Sequence, residues 1–456
     1  MNERELLLRT AELAADFVDS LETRRVFPAT SVEELGAALG GALPDHGADP
    51  REVIEQLTRD VDAGVVASAG ARYFGFVIGG AVPAALAADW LTSTWDQCAG
   101  MGVLGPSALV AEEVAGNWLK ELFGLPAEAS FAFTTGCQTA HVTALAAARH
   151  AVLERAGWDV ATEGLAGSPP ITVVAGANRH VTLDRALRLL GIGKAQIAVI
   201  PADDRGRMDA QALERTLDGV EGPAILCAQA GEVNTGAFDP LVEAAELAAA
   251  RGAWLHVDGA FGMWAAASPA LEHLAAGMER ADSWATDAHK WLNVPYDCGV
   301  AFCAHADPHR AAMSFGAAYL VEPGEWHRDA IDWTPESSRR ARGLPVYAAL
   351  KSLGRSGVAE LIDRCCSHAA RFAAGVAALP GCTVLNDVML NQVLFRFQDD
   401  ETTAAVLARV QAGGQAWMGG TSWEGRAAIR LSVSNWRTTE ADIDLTLAAF
   451  EAALVA

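Results

Sequence analysis

No run of about 18 uncharged apolar residues occurs in the chain, so nothing in it reads as a membrane-spanning helix. Paired cysteines are missing as well. The eight present are scattered, without a CxxC or zinc-type spacing, and Cys365 and Cys366 sit side by side on a predicted helix. Reduced thiols and a cytoplasmic location are the simplest account. Positive charge is scarce: 34 Lys and Arg stand against 57 acidic residues, a formal net charge of −23. Such a surface repels phosphate backbones and anionic membranes, so neither nucleic acid nor a membrane is an expected partner. The opening segment, MNERELLLRTAELAADF, has no apolar core followed by a small-residue cleavage site, and no secretory leader is expected. Tyrosine is rare, with four in 456 residues, at 73, 296, 319 and 347.

Apolar bulk is plentiful. At 51% hydrophobic the chain can bury a large core, and its length suggests roughly two or three domains. Residues 1–70 read as helices, with Ser31 ahead of Glu33 and Glu34, and Asp49 ahead of Pro50, as helix starts. Residues 71–105 combine Tyr73, Phe74, Phe76, Trp90 and Trp95 with Gly79 and Gly80, and a helix over 106–123 follows. From 130 the pattern turns α/β. Short apolar runs at 131–135, 171–175, 197–200, 224–228, 254–258, 282–286 and 299–303 alternate with helical stretches. That predicts a mostly parallel seven-stranded sheet covered on both faces. After about 325 come a long helix near 345–379, strands near 382–385, 392–398 and 428–433, and helices near 402–411 and 439–454. The expected division is a helical segment 1–70, a large α/β domain 71–325 and a small α+β domain 326–456.

Two stretches carry the chemistry. Trp254-Leu255-His256-Val257-Asp258-Gly259-Ala260 is an apolar strand ending in an acid, and Asp287-Ala288-His289-Lys290-Trp291-Leu292-Asn293 holds a lone lysine. Their separation fits a strand end, a crossover and a second strand, which brings Asp258 and Lys290 to one edge of a parallel sheet, where ligands bind. A lysine there can form a Schiff base and an acid there can pair with a protonated pyridine nitrogen, the protein's half of pyridoxal phosphate (PLP) chemistry. Upstream, Thr134-Thr135-Gly136-Cys137-Gln138 follows the first strand and opens a helix. Gly136, Cys137 and Gln138 there offer free N–H groups and a positive dipole end to a phosphate.

HVDGAFG at 256–262 and DAHKWLNVPYDCG at 287–299 resemble the group II PLP-dependent decarboxylases, from about Arg72 to the C-terminus. The resemblance implies fold type I of the aspartate aminotransferase superfamily, a homodimer whose N-terminal segment wraps the other subunit, and decarboxylation of an L-amino acid. It implies that Lys290 carries PLP, that Asp258 meets the ring nitrogen, and that His180 and Ala260 lie on opposite ring faces, His180 also contacting the substrate carboxylate. Asp287 and His289 become cofactor neighbours. Gln138 stands where the family has Ser or Thr, and His141 where it has Asn or Thr. In the turn Gly231–Pro240, Asn234 and Thr235 could reach the cofactor, Glu232 and Val233 replace hydroxyl residues, and Asp239-Pro240 looks like a helix start. Arg339, Arg340 and Arg342 resemble a segment near the partner subunit's active site, and Arg430 resembles a carboxylate-binding arginine. Structural ion pairing is an equal alternative for all four.

One departure bears on the product. The family carries a Tyr on a mobile loop that protonates the carbon left after carbon dioxide departs, and plant relatives with Phe there give an aldehyde. The corresponding stretch, Gly324 to Trp333, has no Tyr, and its usual position falls near Ala330. His327 is the expected substitute acid, with Tyr319 as alternative. Rival readings are another PLP reaction at Cα (carbon–carbon cleavage, transamination or oxidative deamination) and a catalytically silent PLP-binding dimer.

Overall fold

The computed structural model describes residues 2–315 and 328–455. Seven strands form the central sheet: β1 (Ser130–Thr134), β2 (Thr172–Gly176), β3 (Ile197–Ile200), β4 (Ala224–Gln229), β5 (Trp254–Asp258), β6 (Ser283–Asp287) and β7 (Gly299–Cys303), in the order β1-β7-β6-β5-β4-β2-β3. β7 runs antiparallel to β1 and β6, and the remaining pairings are parallel. The pleat sorts side chains by parity. Leu255, Val257, Trp284, Val300 and Phe302 enter one apolar cluster, while Trp254, Ile225, Cys227 and Cys303 enter another on the opposite face. Burial on both faces is why these runs are continuously apolar rather than alternating.

Helices α1 (Glu3–Ser20), α2 (Val32–Leu39) and α3 (Pro50–Asp62) precede the sheet and bury no residue. Their starts follow the sequence: Ser31 forms a capping box with Glu34, and the Asp49 side chain accepts from the Arg51 N–H. α4 (Pro83–Trp95) and α5 (Pro106–Phe123) follow, each opened by a proline. α6 (Cys137–Arg155) packs across the sheet.

The C-terminal part holds a second sheet of β8 (Thr383–Val384), β9 (Gln392–Arg396), β10 (Gly419–Trp423) and β11 (Arg426–Ser432), antiparallel throughout. β10 has no counterpart in the sequence expectations. Gly419-Gly420-Thr421-Ser422 reads as turn, yet Glu424 (φ 50°) and Gly425 (φ 75°) form a tight reversal that pairs it with β11. The expected helix near 345–379 runs from Gly343 to Ala377 and is interrupted at Gly354, whose φ of 63° and ψ of 178° leave the helical region. Among the described residues no helix is long and apolar enough to cross a membrane.

Asp239 differs from its expected role. The helix starts at Leu241, and the Asp239 carboxylate accepts instead from the N–H groups of Met208 and Gln229, both at 2.7 Å. Burial pushes it up to about 6 against those donors.

Candidate active site

Asp258 is the last residue of β5 and Asp287 the last of β6, a neighbouring parallel strand, so both carboxylates emerge at the same sheet edge. β1 ends at that edge too and passes through Gly136 into α6. Gly299 permits the approach: a Cβ there would stand 2.6 Å from the Gly136 Cα and 2.8 Å from the Cys137 amide nitrogen. The turn after β6 carries Lys290 inward. Gly79 backs it, since a Cβ at 79 would lie 2.1 Å from the Lys290 carbonyl oxygen. Asn293, which sequence reasoning passed over, has φ 56° and fixes the turn. Its side chain donates to the carbonyls of Trp291 and Ser434 at 2.9 Å and accepts from the Trp436 N–H at 2.8 Å.

Lys290 Nζ lies 3.1 Å from Asp287 Oδ2. Burial works against its charge, but Asp287, helped by Asp258, holds its pKa above the ordinary lysine value. Asp258 is buried, which alone would raise its pKa; His141, which stands within hydrogen-bonding reach of it, together with His180 and Lys290, instead takes it well below the carboxylate range. Asp258 Oδ1 also accepts from the Ala260 N–H at 3.1 Å. His180 opens the helix Val181–Leu189. Its Nδ1 accepts from the Thr182 N–H at 3.4 Å and lies 2.7 Å from the Thr182 hydroxyl. With Nδ1 accepting, the proton of the neutral ring belongs on Nε2. Burial lowers the His180 pKa and keeps that ring neutral at ordinary pH.

The N-terminus of α6 is engaged by the chain itself. The Cys137 N–H donates to Asp287 Oδ1 at 2.6 Å, and His289 Nε2 stands 3.5 Å from the same oxygen. His289 in turn accepts at Nδ1 from the Cys298 N–H at 3.1 Å, and burial lowers its pKa against the pull of Asp287. Gln138 donates to the Thr182 carbonyl at 3.2 Å, and its Oε1 is buried with no partner among the described residues. The helix start, the Lys290–Asp287 pair and the buried Asp258 carboxylate fit a phosphorylated pyridine aldehyde. Cys137, His141 and Asp258 also bring donor atoms within 4.8 Å of one another.

The arginines separate. Arg339 is buried, pairs with Glu112 at 2.9 Å and donates to the carbonyls of Ala99 and Phe133, both at 2.7 Å. Arg340 pairs with Asp89 and Arg342 with Asp297, each at 2.7 Å. Structural ion pairing therefore accounts for all three. Arg430 has no ion-pair partner among the described residues; it donates to the Val233 carbonyl at 3.4 Å. Glu232 is spent on its own turn, accepting from both N–H groups of Asn234 and Thr235. Asn234 and Thr235 are thereby tied to Glu232 rather than free. Tyr296, also missed from sequence, lies over His289 with ring centroids 4.2 Å apart. His327 and Tyr319 lie outside the described residues.

Residues 33–398 match the model of the pyridoxal-dependent decarboxylase conserved domain. The chain is 28% identical over 452 residues to an aromatic-L-amino-acid decarboxylase of Bacillus atrophaeus, covering 96% of this chain and 92% of that protein. It is 26% identical to a 4-hydroxyphenylacetaldehyde synthase of Rhodiola rosea, covering 95% and 92%. In fold it is similar to the crystal structure of Oryza sativa TDC with PLP and tryptamine, at a TM-score of 0.93 and 24% identity over 100% of this chain and 98% of that one.

Proposed function

The chain belongs to the pyridoxal-dependent decarboxylase family, and from that premise we propose which residues carry its reaction and in what assembly. It is a PLP-dependent carboxy-lyase acting on an amino acid. PLP, when bound, supplies the electron sink for the bond to the departing carboxylate. The single observation that carries the residue roles is the meeting of Lys290, Asp287 and Asp258 at adjoining strand ends, with the lysine and Asp287 3.1 Å apart.

Lys290 holds the cofactor and afterwards takes or returns a proton at Nζ. Asp258 holds the proton of the ring nitrogen. His180 would cover one face of the ring, its Nε2–H directed to the substrate carboxylate, and Ala260 would lie against the other. Gly136, Cys137 and Gln138, with His289, would hold the phosphate end, and Asp287 would position Lys290 beside the cofactor. Arg430, a half-buried guanidinium with no ionic partner among the described residues, anchors a carboxylate of the substrate. Replacing it as Arg430→Met is expected to raise KM by roughly 10–100-fold, the loss of one charge-assisted contact, with cofactor content unchanged. Unchanged KM across the accepted substrates would remove Arg430 from the site.

The reading is tested by offering the standard amino acids and measuring carbon dioxide, amine, aldehyde, ammonia and keto acid. Carbon dioxide with a matching amine is expected; keto acid without carbon dioxide would replace decarboxylation by transamination. A second reading, aldehyde formation with dioxygen as oxidant, is favoured by the Tyr-free stretch 324–333 and by the relative named for an aldehyde product. His327 is proposed as the acid that keeps the product an amine. His327→Ala is expected to shift products from amine towards aldehyde and ammonia, with carbon dioxide release retained. An unchanged amine fraction would clear His327 of that role.

The three regions 1–70, 71–325 and 326–456 are proposed to act within a cytoplasmic homodimer. Supporting this, α1–α3 bury no residue, while Leu7, Leu8, Val53 and Leu57 lie exposed along them. Apolar helices of this kind need a second surface to cover them.

A further inference from the structure

Behind Asp258, away from the side that faces Lys290, lies a line of polar groups that decarboxylation does not use. Trp254, His256 and Asp258 alternate along β5 and so share one face of the sheet, the face that α6 covers. Ser283 is the register partner of His256 on β6. Trp254 Nε1–H donates to Ser283 Oγ at 2.8 Å; Ser283 Oγ lies 2.9 Å from His256 Nδ1; His256 Nε2 lies 2.9 Å from His141 Nδ1. His141 Nε2 then stands 3.4 Å from Asp258 Oδ2, the longest link. Trp254, Ser283, His256 and His141 are all fully buried.

The ends of this line dictate the placement of every proton in it. An indole is a donor only, and a carboxylate is an acceptor only. With Asp258 ionised, His141 carries its proton on Nε2, and its Nδ1 accepts from His256 Nε2–H. His256 Nδ1 then accepts from the Ser283 hydroxyl, whose oxygen accepts from Trp254. Every dipole points its positive end at Asp258. Burial pushes His256 down to about 3, so that ring stays neutral and the order is not scrambled by an extra proton. Among the described residues the competing acceptor for His141 Nε2 is Cys137 Sγ at 3.4 Å, and burial holds that thiol well above its ordinary value, hence uncharged. Two imidazoles and a hydroxyl in a water-free core have no packing advantage over apolar side chains of the same size.

We propose that His141, His256 and Ser283 are positioning residues, a buried relay that orients Asp258 and keeps it ionised against the cofactor ring. The proposal rests on the assignment of Asp258 to the ring nitrogen. Its reach exceeds the first neighbour: His256 and Ser283 touch neither cofactor nor substrate, yet set the state of the group that does.

The test is made on the full chain reconstituted with PLP labelled with nitrogen-15 in the ring, reading the ring-nitrogen NMR signal alongside the PLP dissociation constant and melting temperature. Wild type is expected to give a protonated nitrogen. His256→Phe, which leaves His141 Nδ1 without a donor, is expected to move the signal towards the unprotonated value and to weaken PLP binding about tenfold, the scale of one hydrogen bond to a charged network. His256→Gln keeps an amide N–H for His141 and is expected to stay within about threefold of wild type. Ser283→Ala, a smaller change that spares the fold if His256→Phe does not, is expected to move both readouts the same way by less. If Ser283→Ala and His256→Phe alter only the melting temperature, the relay is overturned and the network is packing. If Asp258→Asn itself leaves the nitrogen signal unchanged, the assignment of Asp258 fails first.

Discussion

Lys290→Ala is expected to abolish covalent retention of PLP and to lower turnover by roughly 10³-fold or more, because one side chain serves both as attachment point and as proton carrier. The geometry makes the loss hard to compensate. The chain has four lysines, at 120, 194, 290 and 351. Lys120 is bound by the carbonyls of Ala127 and Ala129, Lys194 lies on the short helix before β3, and Lys351 lies over the Trp118 ring. None reaches the strand ends where Lys290 meets Asp287. Borohydride treatment of the wild-type holoenzyme should therefore fix the cofactor to one tryptic peptide, the one containing Lys290. Label recovered on another lysine, or near-normal turnover in Lys290→Ala, would sink the assignment. Removing the lysine also leaves Asp287 buried with its strongest partner gone. Some fall in melting temperature is expected with it, which is why the site of labelling, and not activity alone, decides the matter.

The second large effect is at Asp258. A carboxylate about 4 Å from a pyridinium at an effective dielectric near 20 is worth roughly 4 kcal/mol before desolvation. Asp258→Asn keeps the shape and the Ala260 contact but removes the charge. Turnover is expected to fall about 10²–10³-fold, the scale of one lost charge-assisted contact in a water-poor site, while PLP content falls far less. A variant that turns over at the wild-type rate would refute the electron-sink role of the acid. A variant that simply fails to bind PLP would make Asp258 an anchor instead.

What the sequence disclosed and what it hid follow from range. Strand ends are local: an apolar run closing on an acid places Asp258, and the run before Lys290 places the lysine. The fold class and the family both follow from those stretches. Partnerships across the chain are not local. Arg339 looks like an anion binder until Glu112, on α5, is seen against it. Asp287 is expected beside the cofactor, but its bridge from Lys290 to the first N–H of α6 is set by how closely β1 and β6 end. His141 and His256 are an unremarkable pair in the text of the chain and 2.9 Å neighbours in space. β10 was hidden for a different reason: Gly419 and Gly420 weaken the strand character that Thr421 and Trp423 bring, and pairing with β11 overrides composition. The surroundings of Arg430, with no ion-pair partner among the described residues, are likewise set by distant pieces of chain.

Asn293 joins three remote pieces of chain: the lysine turn, the Ser434–Trp436 segment, and, through its carbonyl, the Val82 N–H that precedes α4. Trp436 closes the triangle by donating its indole N–H to the Ala81 carbonyl at 2.8 Å. Mechanically this is a keystone. The C-terminal part cannot pull away without releasing the peptide that carries Lys290, nor can the lysine turn loosen without freeing the entrance to α4. Loss of cofactor and undocking of the C-terminal region are therefore expected to occur together, with the colour of the bound cofactor reporting on the joint that Asn293 and Trp436 make.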